Sequence, residues 1–419
     1  MKRIHAIFLT AAACLSLSFS CNRAPEVPDP EAGLAPFPKP SEQIDRVPLT
    51  RAEESFVQAG NEFAWRLTRK VWEANQDRKS VILSPLSVQY ALGMLGNGAD
   101  AQVAARLAEV LGYEGTDAIN AFCAKMIESL PAVDTSVTLA LANGVLVNNK
   151  YKLKAPFKAA VEGCYDALVE SMSFSNADAV KKYVNDWCNK HTFGRIPSVL
   201  DDVDPLSFMY LMNAIYFNAR WTNPFDKSKT KSENFKTLSG QNIKVGMMHM
   251  EIKETYSYYE TESCQVLSLP YGRQRYRFNI YLPKEKDGVA ALLEDRGKIN
   301  YSGLSNVKLS LPGFKTDYKI DMKSLLAGMG LPLGPYDELV ENADGTPEIS
   351  KVLHKATITV NETGSEAAAV TVVEMRVGAA GGEPPKPRDV TFTADHPFLY
   401  TITEGTSGVI LFTGIYTGN

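Results

Sequence analysis

Between residues 54 and 72, apolar side chains recur at Phe56, Phe63, Leu67 and Val71, while Arg66 and Arg69 fall on the opposite side. That spacing predicts an amphipathic helix. Ser84 and Pro85 open a second helix, because serine suits an N-cap and proline suits the first turn. Its apolar run reaches Leu95, and Gly96-Asn97-Gly98 ends it. Similar periodicity predicts helices over 154–171 and 178–190. Runs rich in β-branched and aromatic residues, bounded by turn residues, predict strands at 137–147, 208–217, 276–282, 307–311, 357–360 and 409–412. Helices come first and strands crowd in later without regular alternation. The class expected is α+β, not a parallel α/β enzyme.

The N-terminal end breaks this pattern. Lys2 and Arg3 precede an apolar stretch at 7–17, too short to span a bilayer, and small residues follow up to Cys21. Residues 1–20 therefore read as a secretory signal peptide. Two processing routes fit: ordinary cleavage near Ser20, or cleavage before Cys21 with lipid attached to that cysteine, as in bacterial lipoproteins. The lipoprotein pattern places Leu three residues before the cysteine; here Ser18 stands there and Leu17 lies one place further back. A proline-rich segment through Pro48, poor in large aliphatics, stays extended and solvated, so 21–48 reads as a tether and 49–419 as one globular body. The protein is thus expected to be exported, either as a cell-envelope lipoprotein or as an extracellular or periplasmic protein.

Composition adds mainly exclusions. The 44 basic and 48 acidic residues nearly cancel, so nothing in the charge balance suggests a nucleic-acid partner, which would favour a basic face. Beyond the N-terminal stretch no apolar run is long enough to cross a membrane, so any membrane contact is expected through a lipid anchor alone. Cys123, Cys164, Cys188 and Cys264 form no CxxC pair and no zinc-ligand spacing, and are expected as free thiols. His191, His249, His354 and His396 lie near no GxSxG elbow and form no HExxH pair. A triad assembled in space is not visible in a sequence, so a hydrolase stays as an alternative.

Residues 361–388 fit no structural element well. Loops longer than about 12–15 residues are uncommon in compact domains and are usually functional or disordered. With a period of two, Ser365, Ala367, Ala369, Thr371, Val373 and Met375 share one side, and Glu362, Glu366, Val370 and Glu374 share the other with Ala368. One side is small or apolar and the other carries the acids, as in a half-buried strand. Gly364 and the alanines lower strand propensity. The segment is able to form a strand without being compelled to.

Glu362-Thr363-Gly364-Ser365-Glu366-Ala367-Ala368-Ala369 resembles the hinge of the reactive-centre loop of serpins. Five further stretches agree, in the family's order over nearly all of 49–419: Ser84 to Val88 with Ala91 to Leu95; Asn185-Asp186-Trp187 with Thr192 to Ile196; Asn213 to Phe217 with Trp221, Pro224 and Phe225; Leu353 to Ala356; and Ala394 to Phe398. Arg195 stands where a lysine is usual, and Thr413-Gly414-Ile415 lacks the usual basic residue.

The resemblance implies helices clustered in the first half around three β-sheets, with 361–388 as an exposed loop. It also implies a monomeric, non-enzymatic inhibitor that traps a target serine or cysteine protease when its cleaved loop inserts into the central sheet. A non-inhibitory binding protein of the same fold is the alternative. Ser84, Ser87, Asn213 and His354 would form a polar cluster beneath the strands that part, and Trp221 would mark where insertion begins. Candidate bonds for cleavage are Gly378-Ala379, by the family's usual register, and Arg376-Val377, by chemistry. No cofactor is expected, and 116–130 carries only Lys125 as a base, unlike the glycosaminoglycan-binding helix of some animal serpins.

Overall fold

A computed structural model describes residues 42–341, 347–349, 351–365 and 386–418, which fall within one compact unit. The chain begins with α1 (Arg51–Ala74), β1 (Val81–Leu83), α2 (Pro85–Gly96), α3 (Ala101–Leu111), α4 (Thr116–Ala132) and β2 (Thr138–Asn148). It continues through α5 (Ala155–Tyr165), β3 (Ala167–Met172), α6 (Ala177–His191), β4 (Met209–Arg220), β5 (Lys231–Lys236), β6 (Asn242–Thr255), β7 (Tyr258–Thr261), β8 (Cys264–Tyr271) and β9 (Tyr276–Pro283). Then come α7 (Val289–Glu294), β10 (Ile299–Ser302), β11 (Ser305–Pro312), β12 (Phe314–Asp321) and α8 (Lys323–Gly328). The last elements are β13 (Leu353–Val360), β14 (Gly364–Ser365), β15 (Arg388–Thr393), β16 (Phe398–Glu404) and β17 (Ile410–Tyr416).

Local chemistry accounts for the helices. Thr50 and Glu53 form a capping box on α1: the Glu53 N–H donates to Thr50 Oγ1 at 3.3 Å, and the Thr50 N–H donates to Glu53 Oε2 at 2.7 Å. Ser84 caps α2 as expected, accepting from the Ser87 N–H at 3.3 Å. Nearly all of α2 is buried, which explains why its apolar residues run round the whole helix instead of lying on one stripe.

The helix read over 154–171 is corrected. Only α5 is helical there; Asp166 turns to φ 47°, and β3 pairs in parallel with β2 from Asn143↔Ala167 to Asn148↔Met172. Sheet pairing overrides a propensity that could have continued the helix. The body also starts earlier than Leu49. The Ile44 N–H donates to the Ala132 carbonyl at 3.0 Å, and Val47 is buried with its N–H on Thr406 Oγ1.

Among the described residues four hydrogen-bonded sheets result, in the orders β1-β17-β16-β9-β8-β7-β10, β15-β11-β6-β5, β14-β4-β2-β3 and β12-β13. The last two are halves of one surface. β14 pairs antiparallel with β4, and the Asn361↔Gly364 bridge joins it to the end of β13. Below that point β4 and β13 run side by side in the same direction, and neither is the other's ladder partner. Along β4, Met209, Leu211, Ile215, Phe217 and Ala219 face the main core, whereas Tyr210, Met212 and Ala214 face α6 with Val184, Trp187 and Cys188.

Candidate functional site

The seam between β4 and β13 is bracketed at one end by the turn Asn361–Gly364. Asn361 Oδ1 accepts from the N–H groups of Thr363 (3.0 Å) and Gly364 (3.2 Å) and from Thr363 Oγ1 (2.7 Å), which fixes the reversal. Trp221 holds it from the far side: its indole N–H donates to the Asn361 carbonyl at 2.8 Å and its backbone N–H to the Thr363 carbonyl at 3.1 Å. The Phe225 N–H donates to the Glu362 carbonyl at 2.8 Å, and Glu362 Oε1 accepts from Thr230 Oγ1 at 2.8 Å.

The chain then enters the seam. Gly364 lies opposite Arg220 and Ser365 opposite Ala219. At Gly364, φ is +151° and a Cβ would stand 2.2 Å from the Ala219 carbonyl oxygen, so glycine is required for this approach. Ser365 is buried, and its hydroxyl meets the Tyr271 hydroxyl at 2.7 Å. Tyr271 stacks on Trp221, with ring centroids 4.4 Å apart and planes 9° apart.

Further along β4, about 26 Å from Trp221 at strand rise, the other candidate residues converge. The Ser84 N–H donates to His354 Nε2 at 3.1 Å, and Ser84 Oγ donates to the Leu411 carbonyl at 2.9 Å. Ser87 Oγ donates to Asn213 Oδ1, Asn213 Nδ2 to Asn143 Oδ1, and Asn143 Nδ2 to the Tyr165 carbonyl at 2.7 Å. The cluster thus ties α2, β2, β4, β13 and β17 together through hydrogen bonds, not apolar packing. His354 is neutral here, since Nε2 accepts a hydrogen bond from the Ser84 N–H and so carries no proton; burial pushes its pKa down to about 4. Two cavities of about 140 and 30 Å³ follow the seam, with Met212, Asn213, Ile215 and Phe217 on one side and His354, Thr357 and Ile358 on the other.

A family model described as "Serpin (serine protease inhibitor)" matches residues 58–418. The chain belongs to the serpin family. Members of that family are in general protease inhibitors, and the mixed α+β fold found here is theirs. Serpin-Z10 of Arabidopsis thaliana is 32% identical over 381 residues, covering 85% of this chain and 96% of its own length. Serpin-Z4 of Hordeum vulgare is 34% identical over 384 residues, covering 85% and 94%. Among solved structures, the native thermophilic serpin tengpin superposes with a TM-score of 0.76 at 25% identity, covering 91% of this chain and 97% of its own. AtSerpin1 of Arabidopsis, in its native stressed conformation, gives 0.74 at 27% identity, covering 88% and 99%.

The serpin residues singled out in the sequence thus fall into two groups on one strand. Glu362, Gly364, Ser365 and Trp221 meet at one end of β4, and Ser84, Ser87, Asn213 and His354 meet near its middle. Glu366, Ala367, Ala368 and Ala369, the candidate bonds at Arg376-Val377 and Gly378-Ala379, and Cys21 lie outside the described residues. Sequence reasoning placed Asn361 at the start of the loop but missed Asn143, Tyr271 and Thr230. It also missed the anchor at the loop's other end, where Arg388 reaches Glu260 Oε1 at 3.1 Å and lies 4.5 Å over the Tyr301 ring. Cys123, Cys164, Cys188 and Cys264 are free.

Proposed function

We propose that this serpin inhibits serine endopeptidases, and cysteine endopeptidases of compatible specificity, by trapping them covalently as its cleaved loop enters the seam between β4 and β13. The observation that carries the reading is the register of β14. It runs antiparallel to both flanking strands, so each step forward along the loop is one step back on β4 and on β13. Continued, the register sets Ala367 against Phe217 and Ile358, Ala369 against Ile215 and Ala356, and Thr371 against Asn213 and His354. Those partners all lie on the faces turned to the core. Glu366, Ala368, Val370 and Glu374 would take the opposite face, which agrees with the side that the alternation of the loop gives the small residues. The arm from Gly364 to Met375 then matches the 12-residue length of β4.

The physics is that of strand addition, for which serpin loop insertion is itself a standard example. The protease attacks one loop bond and forms an acyl-enzyme. Freed at that bond, the arm gains about ten backbone hydrogen bonds at ~1 kcal/mol each, besides apolar burial. At ~3.3 Å per residue it carries the tethered enzyme tens of ångströms. The pull distorts the enzyme's active site, and loss of one oxyanion donor alone slows such chemistry about 100- to 1000-fold. Thr371 arrives at Asn213 and His354, where a hydroxyl can join a polar cluster that an apolar side chain would disrupt.

Incubation with a panel of serine and cysteine proteases tests the reading. The expected result is a complex that survives SDS, with a released C-terminal peptide whose mass distinguishes Gly378-Ala379 from Arg376-Val377. Complete cleavage without any complex overturns it. The same proposal includes an exported monomer, with Cys21 as lipid attachment point, checked by mass spectrometry of the mature N-terminus.

One observation favours a hydrolase instead. His249 Nδ1 lies 3.0 Å from Ser310 Oγ and its Nε2 lies 2.9 Å from Glu233 Oε1, a Ser–His–carboxylate relay. Ser310 sits in β11, which pairs with both β6 and β15, so the strand's own amides are not free to form an oxyanion hole. Turnover of ester and peptide substrates, lost in Ser310→Ala, would establish this reading over trapping.

A further inference from the structure

Away from the seam, a cavity of about 290 Å³ lies where the chain crosses from β6 to β7 beside β8 and β9. Trp221, Phe225, Ile252 and Pro270 contribute apolar surface to it, and Ser268 and Arg277 contribute polar groups. Pro270 pairs with Arg277 and Ser268 with Asn279, which makes Ser268 and Arg277 diagonal neighbours on one face of the sheet.

Both polar groups lack partners among the described residues. The Ser268 hydroxyl is buried without a hydrogen bond. Asn279, facing it, commits its amide N–H groups to Thr401 and Thr403 at 3.0 Å each. Arg277 is half-buried, and burial pulls its guanidinium below the usual arginine range with no acid close enough to offset it. Lys253 and Glu254 also line the cavity, but both are exposed and of opposite sign, so neither sets its charge. A guanidinium withdrawn from water favours an anion, and its planar fork favours two oxygens of one carboxylate. Apolar surface beside it favours hydrocarbon over a second charge.

We infer that this cavity binds a small carboxylic acid with a compact apolar tail. Its carboxylate pairs with Arg277 and accepts from the Ser268 hydroxyl, and its tail packs against Trp221 and Phe225. Inorganic anions satisfy the first half of this demand only, and neutral aromatics the second half only.

Calorimetric titration of the full chain with sodium phenylacetate tests the site, with phenylacetamide and sodium acetate as probes lacking the charge or the tail. Saturable one-site binding of phenylacetate, at least about 10-fold tighter than either control, is expected. Arg277→Gln should weaken it about 10-fold or more, and Ser268→Ala by several-fold, with Arg277→Lys intermediate. Arg277→Gln removes an unpaired charge, so its ligand-free melting temperature should equal or exceed that of the wild type. Should Arg277→Gln fail to fold, Ser268→Ala and Arg277→Lys carry the test. Equal binding of phenylacetamide, binding unchanged by these substitutions, or no saturable binding overturns the inference.

Discussion

Arginine in place of Ser365 would have to bury a guanidinium beside the Trp221–Tyr271 stack, on the face where Ser365 is 2% exposed. The substitution removes the 2.7 Å hydrogen bond to Tyr271, worth about 1 kcal/mol, and adds the desolvation of an unpaired charge, on the order of 4 kcal/mol. The intact protein can relieve this by releasing β14 from β4, so the penalty falls on insertion. If half of the ~5 kcal/mol is felt at the insertion barrier, insertion slows about 70-fold. Deacylation belongs to the protease and keeps its rate. The partition between trapping and turnover therefore shifts by the same factor, and the inhibitor becomes a substrate. Densitometry of SDS-stable complex against cleaved inhibitor, over a range of inhibitor-to-protease ratios, reads that partition. Glu366→Arg is the internal control, because on insertion the continued register would bring residue 366 beside Asn218 and Thr359, neither of which is buried. Its partition should change less than about 3-fold. Undiminished trapping by Ser365→Arg, or equal damage from Glu366→Arg, refutes the register.

Three further outcomes follow from the same geometry. Gly364→Val places a Cβ 2.2 Å from the Ala219 carbonyl oxygen and should free the hinge from β4, seen as faster proteolysis at the hinge and less complex. His354 has a folded pKa of about 4 against an ordinary 6.5, so the unfolded chain takes up the proton first as pH falls. Its stabilisation is whole above about pH 6.5, drains between 6.5 and 4, and amounts to about 3 kcal/mol; melting temperatures from pH 7 to 4 should fall less steeply in His354→Gln, with a residual slope from His191, which burial also depresses. Loop-cleaved protein should melt well above the intact form, whereas equal melting temperatures would favour a non-inhibitory binding protein.

What the sequence disclosed was local. Ser84 and Pro85 announce α2 because capping acts within one turn. Alternation from Ser365 to Met375 can be read without a partner because its period is two, but 366–375 lie outside the described residues. The boundary at Tyr165 was not legible, since β3 exists through its pairing with β2, which no local propensity encodes. Tyr271 reads as one more aromatic in a strand; its bond to Ser365 spans 94 positions, and that between Asn213 and Asn143 spans 70. Gly364 was visible as a glycine, but its reason is the Ala219 backbone on another strand. The hinge was thus legible in type, and its holding groups were not.

The central claim is that residues 366–375 become a strand between β4 and β13. Backbone amide exchange, measured on intact and loop-cleaved protein, addresses it most directly. Protection of the amides at 366–375 by about 1000-fold or more after cleavage, with matching gains along the facing edges of β4 and β13, is the result expected. Exchange at 366–375 that stays as fast as in a free peptide would contradict it.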